Sequence, residues 1–213
     1  MRWLILSLLF VATTINYLDR ALLGMILPEI RKVFPGLQES YGVIQFWFQI
    51  FYGVGALVGG KLLDRFGTRI GYGLAALLWS AVAMLNAGAT SILQFGILRG
   101  LLGLGEAPNF PACNKAGAEL FPPSQRALAM GVVNSGTNLA NVIGPGIFLL
   151  ISTVLGWRWC FAIMGALGLV WLPVWFLVYR VPKQAGVAIP ETAKVSIRTI
   201  LKYKQAWGYG WGP

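Results

Sequence analysis

Four ionisable residues stand inside otherwise apolar sequence: Asp19 and Arg20 in the first apolar run, Arg99 and Glu106 in the fourth. A charge at the centre of a bilayer costs roughly 2.5–3.5 kcal/mol on insertion scales, so four unpaired ones cost about 10–14 kcal/mol. A chain carries them only where they face a protein-lined or watery cavity, and there they mark a path for substrate, ion or proton. With both carboxylates ionised the four sum to zero; with both protonated the site holds two positive charges. Burial disfavours an ionised carboxylate and a neighbouring guanidinium favours it, so such a site can switch. Protonation then frees the arginines to hold a carboxylate, for which guanidinium supplies a planar, two-pronged donor. Proton and organic anion moving together is symport. Asp19 and Glu106 are the expected proton-coupling groups; Arg20 and Arg99 are the expected anion-binding ones. The plain alternative is a set of structural ion pairs.

Helical spacing sorts the remaining intramembrane polar groups onto faces. Arg99 and Glu106 are seven apart, on one face but about 10.5 Å apart along the axis. Their partners should therefore come from another helix, with Asp19 and Arg20 the candidates. Asn16 precedes Arg20 by four residues. Gln45, Gln49 and Tyr52 follow an i, i+4, i+7 pattern, as do Asn134, Asn138 and Asn141, with Thr137 alongside. Asn16, Gln49, Tyr52 and Asn138 are expected to line the substrate route, where amides and phenols can hydrogen-bond a polar substrate. Packing hydrogen bonds between helices are the alternative for any one of them.

The elements that must position these groups are membrane helices. Of the 213 residues 57% are hydrophobic and only 11% charged, with a mean hydropathy of +0.68. Soluble domains carry about 25% charged residues. Several apolar runs reach the ~20 residues that span the hydrocarbon core. The expected spans are 4–27, 42–62, 70–89, 92–113, 127–152 and 158–179, giving an all-α, six-helix, multi-pass bundle over 1–182. The first run carries Asp19-Arg20 and has no small-residue cleavage site, so it is expected to be a retained helix.

The net charge of +10 is distributed by loop. Counting alternate loops as inside from the N-terminus, twelve Lys and Arg fall inside and three (Arg31, Lys32 and Arg158) outside. That asymmetry predicts cytoplasmic ends for the bundle and makes the basic excess a topology signal without nucleic acid as a partner. The membrane itself is expected to be a cell membrane, a bacterial inner membrane. There is no His, and the two cysteines, Cys113 and Cys160, lie deep in apolar runs. Imidazole relays and His-ligated metals are excluded, and the thiols are expected to pack as small hydrophobes. No nucleophile–base pair or metal cluster stands in the pattern, so neither enzyme chemistry nor a cofactor is expected.

Between the second and third spans runs Gly60-Lys61-Leu62-Leu63-Asp64-Arg65-Phe66-Gly67-Thr68-Arg69. A carboxylate near a helix end among cations can latch two helices. The spacing of Gly60, Asp64, Arg65, Gly67 and Arg69 resembles the loop signature of the major facilitator superfamily, where it gates the cytoplasmic side. Gly144-Pro145-Gly146 weakly resembles the glycine-proline motif of that superfamily's fifth helix. Asn16-Tyr17-Leu18-Asp19-Arg20, Tyr52 and the run from Arg99 to Pro111 resemble the anion:cation symporter family, whose members include hexuronate, galactonate and glucarate permeases. The resemblance implies a 3+3 inverted-repeat bundle, with proton coupling at Asp19 and Glu106 and a substrate route or charge network at Arg20, Tyr52 and Arg99.

Residues 1–182 resemble the N-terminal half of such a transporter. Residues 183–213 resemble the central linker and the opening of a seventh helix, with Ile197, Ile200 and Leu201 as a membrane-facing stripe and Trp207, Tyr209 and Trp211 as interfacial aromatics. The expected partners are a small organic anion, protons, the bilayer and the missing C-terminal half. A self-associating half-transporter, an anion facilitator or exchanger without proton coupling, and a non-transporting scaffold remain open alternatives.

Overall fold

The computed structural model describes residues 1–180. The linker and seventh-helix expectations on 183–213 lie outside the described residues. Among the described residues seven helices follow in order: α1 Arg2–Met25, α2 Leu27–Ile30, α3 Leu37–Asn86, α4 Ile92–Glu106, α5 Asn109–Leu120, α6 Pro123–Val154 and α7 Trp157–Val178. Four of them (α1, α3, α6 and α7) are long and apolar enough to cross a bilayer.

The 50 residues of α3 would extend about 75 Å at 1.5 Å per residue, more than twice the ~30 Å hydrocarbon thickness. It bends at Gly67, whose φ of 73° and ψ of 165° lie in a region that favours glycine. The arms 37–66 and 68–86 thus supply the second and third crossings. The loop expected over 63–69, between the second and third spans, is corrected: both arms are helical up to this single residue. The fourth crossing, expected as continuous over 92–113, is broken at Ala107–Pro108 and carried on by α5 to Leu120. Pro108 and Pro111 have no N–H to offer the carbonyls four residues back, which is what stops α4. The polar loop expected from Pro28 to Tyr41 is also shorter than its composition implied. It contains α2, and α3 begins at Leu37; Ile30 and Leu37 are fully buried.

Local chemistry sets the other boundaries. Ser91 caps α4 by accepting from the Gln94 N–H at 3.2 Å, while the Gln94 side chain accepts from the Thr90 N–H at 2.8 Å. Pro123 opens α6 where a missing donor costs nothing.

Close approach then builds the bundle, as lipid requires where apolar surface alone gives no drive. A Cβ on Gly103 would lie 2.6 Å from the Phe48 carbonyl of the first arm, and one on Gly105 2.9 Å from the Trp79 nitrogen of the second. α4 is therefore held between both arms of α3. Gly136 brings α6 onto Phe10 of α1, and Gly165 brings α7 onto Ser80 of the second arm. Two clusters fill the interior, one around Tyr72, Trp79, Trp171 and Trp175, the other around Leu22, Phe95, Phe148 and Phe161. Chain direction alternates, so Arg2, the Gly67 elbow, the α5–α6 turn and Tyr179 share one end of the bundle.

Candidate functional site

The α4–α5 break lies beside the middle of α1, and the charged residues meet there. Arg20 Nε donates to Glu106 Oε2 at 3.4 Å, joining α1 to α4. The Arg20 side chain is 24% exposed while that of Glu106 is fully buried. The Arg20 guanidinium lies 4.5 Å from the ring centre of Tyr52 and 4.8 Å from that of Tyr17, with Phe48 at 5.7 Å. Two phenol faces thus hold the cation in place while one edge stays open to the surface.

Arg99 is placed differently. It is 1% exposed, its Nη1 donates to the backbone carbonyl of Asp19 at 3.1 Å, and its guanidinium lies 5.7 Å from the Phe161 ring centre. The helix partner expected for Arg99 is therefore found in Asp19, but through the main chain. The Asp19 carboxylate, also buried, has no hydrogen-bond partner on either oxygen among the described residues. Asn16 is fully buried too, with Nδ2 donating to the Glu106 carbonyl at 3.5 Å at the helix break. Arg99 and Asn16 stand behind the wall of the site, and Arg20 and Tyr52 stand on it.

Among the described residues, seven of the eleven buried side-chain nitrogen and oxygen atoms that lack a partner belong to this cluster: Asn16 Oδ1, both Asp19 oxygens, Glu106 Oε1, Arg20 Nη2, and Arg99 Nε and Nη2. Donors and acceptors are both in surplus, which suits a site that exchanges partners.

The amide stripes lie on outward faces. On α6 the buried residues Ala129, Val133, Gly136, Ala140, Gly144 and Phe148 form the inner stripe, leaving Asn134, Asn138 and Asn141 exposed on the far side. Gln49 is exposed on the first arm of α3, whereas Gln45 is half-buried and donates to the Tyr41 hydroxyl at 2.9 Å. Gln49, Asn138 and the other two asparagines make no side-chain hydrogen bond among the described residues, to Arg20 or to any other group.

The loop motif sits at the elbow. Asp64 accepts from Lys115 Nζ of α5 at 2.7 Å, and the same amine donates to the Leu63 carbonyl at 2.9 Å. Arg69 donates to the Phe176 carbonyl of α7, while Gly60 is half-buried and Arg65 exposed.

Two networks escaped the sequence reading. At the elbow, Glu119 of α5 accepts from Thr68 at 2.7 Å and from Tyr179. In the interior, Tyr72 donates to Asn109 Oδ1, and Asn109 Nδ2 donates to Thr13 at 3.3 Å, tying the second arm of α3 and α1 to the start of α5. The available signals were a lone acid among cations for Glu119 and, for Asn109, an amide between two prolines.

With that geometry in view, the sequence pattern described as Major Facilitator Superfamily matches residues 9–212. The chain belongs to the major facilitator superfamily. It is 32% identical over 182 residues to the D-galactonate transporter of Escherichia coli O6:H1, covering 85% of this chain and 42% of that protein. It is 28% identical to the hexuronate transporter of Escherichia coli K12, covering 98% and 52%. With the galacturonate transporter of Dickeya chrysanthemi it shares 31% identity, covering 98% and 65%. These relatives agree with the anion:cation symporter resemblance. The chain spans about half the length of the curated relatives it matches.

Two facilitator structures share the fold. One is a bacterial homolog of the human lysosomal transporter Spinster in an inward-facing, unoccupied conformation: TM-score 0.77, 22% identity, covering 85% of this chain and 43% of that one. The other is the proton:xylose symporter XylE bound to 6-bromo-6-deoxy-D-glucose: TM-score 0.72, 21% identity, covering 85% and 45%. The chain is thus an all-α, multi-pass membrane protein of a transporter superfamily.

Proposed function

We propose that residues 1–182 form one six-helix wall of a proton-coupled symporter for an organic anion, a sugar acid such as a hexuronate or aldonate. The observation that carries this reading is the Arg20–Glu106 pair, with a buried acid holding a cation that keeps one edge open to the surface. An anion arriving at that edge competes with Glu106 for the guanidinium. Glu106, displaced, is stable in its buried position only as the neutral acid, so anion binding and proton uptake favour each other. Asp19 is the second proton-coupling group. Arg99 acts through the Asp19 main chain and positions α1, while Tyr52 and Tyr17 orient Arg20. The relatives, transporters of D-galactonate, hexuronate and galacturonate, support the sugar-acid class.

Gln49, Asn134 and Asn138 expose amides that lipid cannot satisfy, so another wall must cover them or enclose water against them. A second six-helix bundle supplies that wall, and the two rock around the site. Among the described residues, Arg2, Lys61, Arg65, Arg69, Lys115, Arg126 and Arg180 lie toward the elbow end, against Arg31, Lys32 and Arg158 at the other. We assign the elbow end, and with it both chain termini of the bundle, to the cytoplasm of a bacterial inner membrane on that bias.

The test is pH-gradient-driven uptake of labelled galacturonate into vesicles holding this chain, alone and co-expressed with the C-terminal half of the Dickeya relative. Accumulation is expected with the second half present and lost in Glu106→Gln. Undiminished accumulation by Glu106→Gln overturns the coupling; uptake by the chain alone, with a defined homodimer, favours the self-associating half-transporter.

A further inference from the structure

The helical hairpin of α3 leaves an apolar crevice on the outside of the bundle. Gly55, Val58, Gly59 and Leu62 line it from the first arm, Leu74, Ala75 and Leu78 from the second, and Leu104, Gly105 and Pro108 form its floor, enclosing about 180 Å³. Every lining residue is apolar, and Val58, Leu74 and Leu78 remain 53%, 44% and 40% exposed. Toward the elbow the arms close on each other, where a Cβ on Gly71 would lie 3.1 Å from Leu63.

Lys61 follows Val58 by three residues and Arg65 follows Leu62 by three, so each lies one helical turn from the crevice, toward the elbow. Both are exposed. The nearby acid, Asp64, is engaged by Lys115, and Arg69 is engaged by the Phe176 carbonyl. Lys61 and Arg65 have no acidic partner among the described residues. Arg65 lies over the Phe66 ring, 5.5 Å from its centre, which leaves its charge unneutralised. A hydrocarbon-lined slot one turn below two cations without an acid among the described residues has the shape and charge of one ligand class.

We infer that this crevice and its rim are a binding site for an anionic phospholipid, with an acyl chain in the slot and the phosphate at Lys61 and Arg65. The leaflet rests on the orientation proposed above; the site does not. Basic rims between membrane helices bind anionic headgroups, each cation contributing about 1 kcal/mol near the surface. Two cations correspond to roughly thirtyfold in affinity, at 1.4 kcal/mol per tenfold.

Native mass spectrometry of the purified full chain in detergent, titrated with phosphatidylglycerol, phosphatidylethanolamine or phosphatidylcholine, tests this without any transport step. Phosphatidylglycerol is expected to be retained preferentially and to bind about thirtyfold more weakly to Lys61→Gln/Arg65→Gln. Leu74→Trp, which fills the slot and keeps both cations, is expected to weaken it as well. Arg31→Gln/Lys32→Gln, an equal charge change at the other end, should leave it intact. Melting temperatures confirm that each variant is folded. Equal retention of the three lipids, equal loss in the Arg31/Lys32 control, unaltered binding by Leu74→Trp, or full competition by free glycerol phosphate overturns the proposal.

Discussion

The charged cluster at mid-bundle and the polar clasp at the elbow are built from the same residue types with opposite degrees of satisfaction. At the elbow Asp64 has Lys115, Glu119 has Thr68 and Tyr179, and Arg69 has a carbonyl of α7. At mid-bundle one long ion pair joins Arg20 to Glu106, and seven atoms of the cluster are without partners among the described residues. Leaving such groups unpaired in a buried site costs about 1–3 kcal/mol each. A fold tolerates that where the groups acquire partners during function. The clasp holds helices in register; the cluster is where the proposed function places the proton and the anion.

The largest expected effect breaks the cluster. Arg20→Ala should weaken anion binding by about 2–5 kcal/mol, the usual cost of removing one member of a buried charge pair. Arg20→Lys should recover little, because an ammonium lacks the flat fork and the stacking on Tyr17 and Tyr52. Isothermal titration with a galacturonate-class anion on the assembled transporter measures both. Equal binding by Arg20→Ala moves the anion site elsewhere. Asp19→Asn sharpens the same point. Since the carboxylate makes no bond among the described residues, the isosteric amide should leave the melting temperature nearly unchanged while abolishing pH-driven accumulation.

Next in size is the clasp. Glu119→Ala strips Thr68 and Tyr179 of their acceptor at once. Hydrogen bonds to charged groups are worth about 1.5–3 kcal/mol, so unfolding in detergent should shift by roughly that much. Unchanged stability would mean that the two hydroxyls find other acceptors and that the clasp holds nothing. Tyr72→Phe should cost less, about 1 kcal/mol for one neutral hydrogen bond. Because Asn109 starts the helix after Glu106, the same variant should also shift the pH dependence of uptake.

These contrasts bear on how much the residues disclosed by themselves. Asp19, Arg20, Arg99 and Glu106 were legible because charge in an apolar run is costly, and their meeting across helices followed from a seven-residue spacing too long for a bridge. The depth of each was not legible. Arg20 and Arg99 have the same chemistry, yet one stands at the surface between two tyrosines and the other is sealed against Phe161. That difference depends on how α1 and α4 are each rotated about their axes, and for α4 Gly103 and Gly105 set this by close approach to the two arms of α3. Gly67 was legible as a motif residue, but its positive φ is a fact of the bend. Glu119 was missed because no periodicity marks one acid at a helix end.

The smallest expected effect concerns Asp64, the acid of the elbow motif. Its side chain is 79% exposed and that of Lys115 26%, so their 2.7 Å contact is largely open to its surroundings. Exposed pairs contribute about 0–1 kcal/mol, further screened by salt. Lys115 also keeps its bond to the Leu63 carbonyl when the carboxylate is gone. Asp64→Asn should therefore lower the melting temperature of the chain little, and less at high salt. If the motif gates transport, the same variant must lose uptake in the assembled transporter despite that intact stability, because the acid then acts on an element that moves. A large loss of stability instead would make Asp64 a structural member of the clasp, and the contrast between a satisfied elbow and a poised centre would extend to the motif itself.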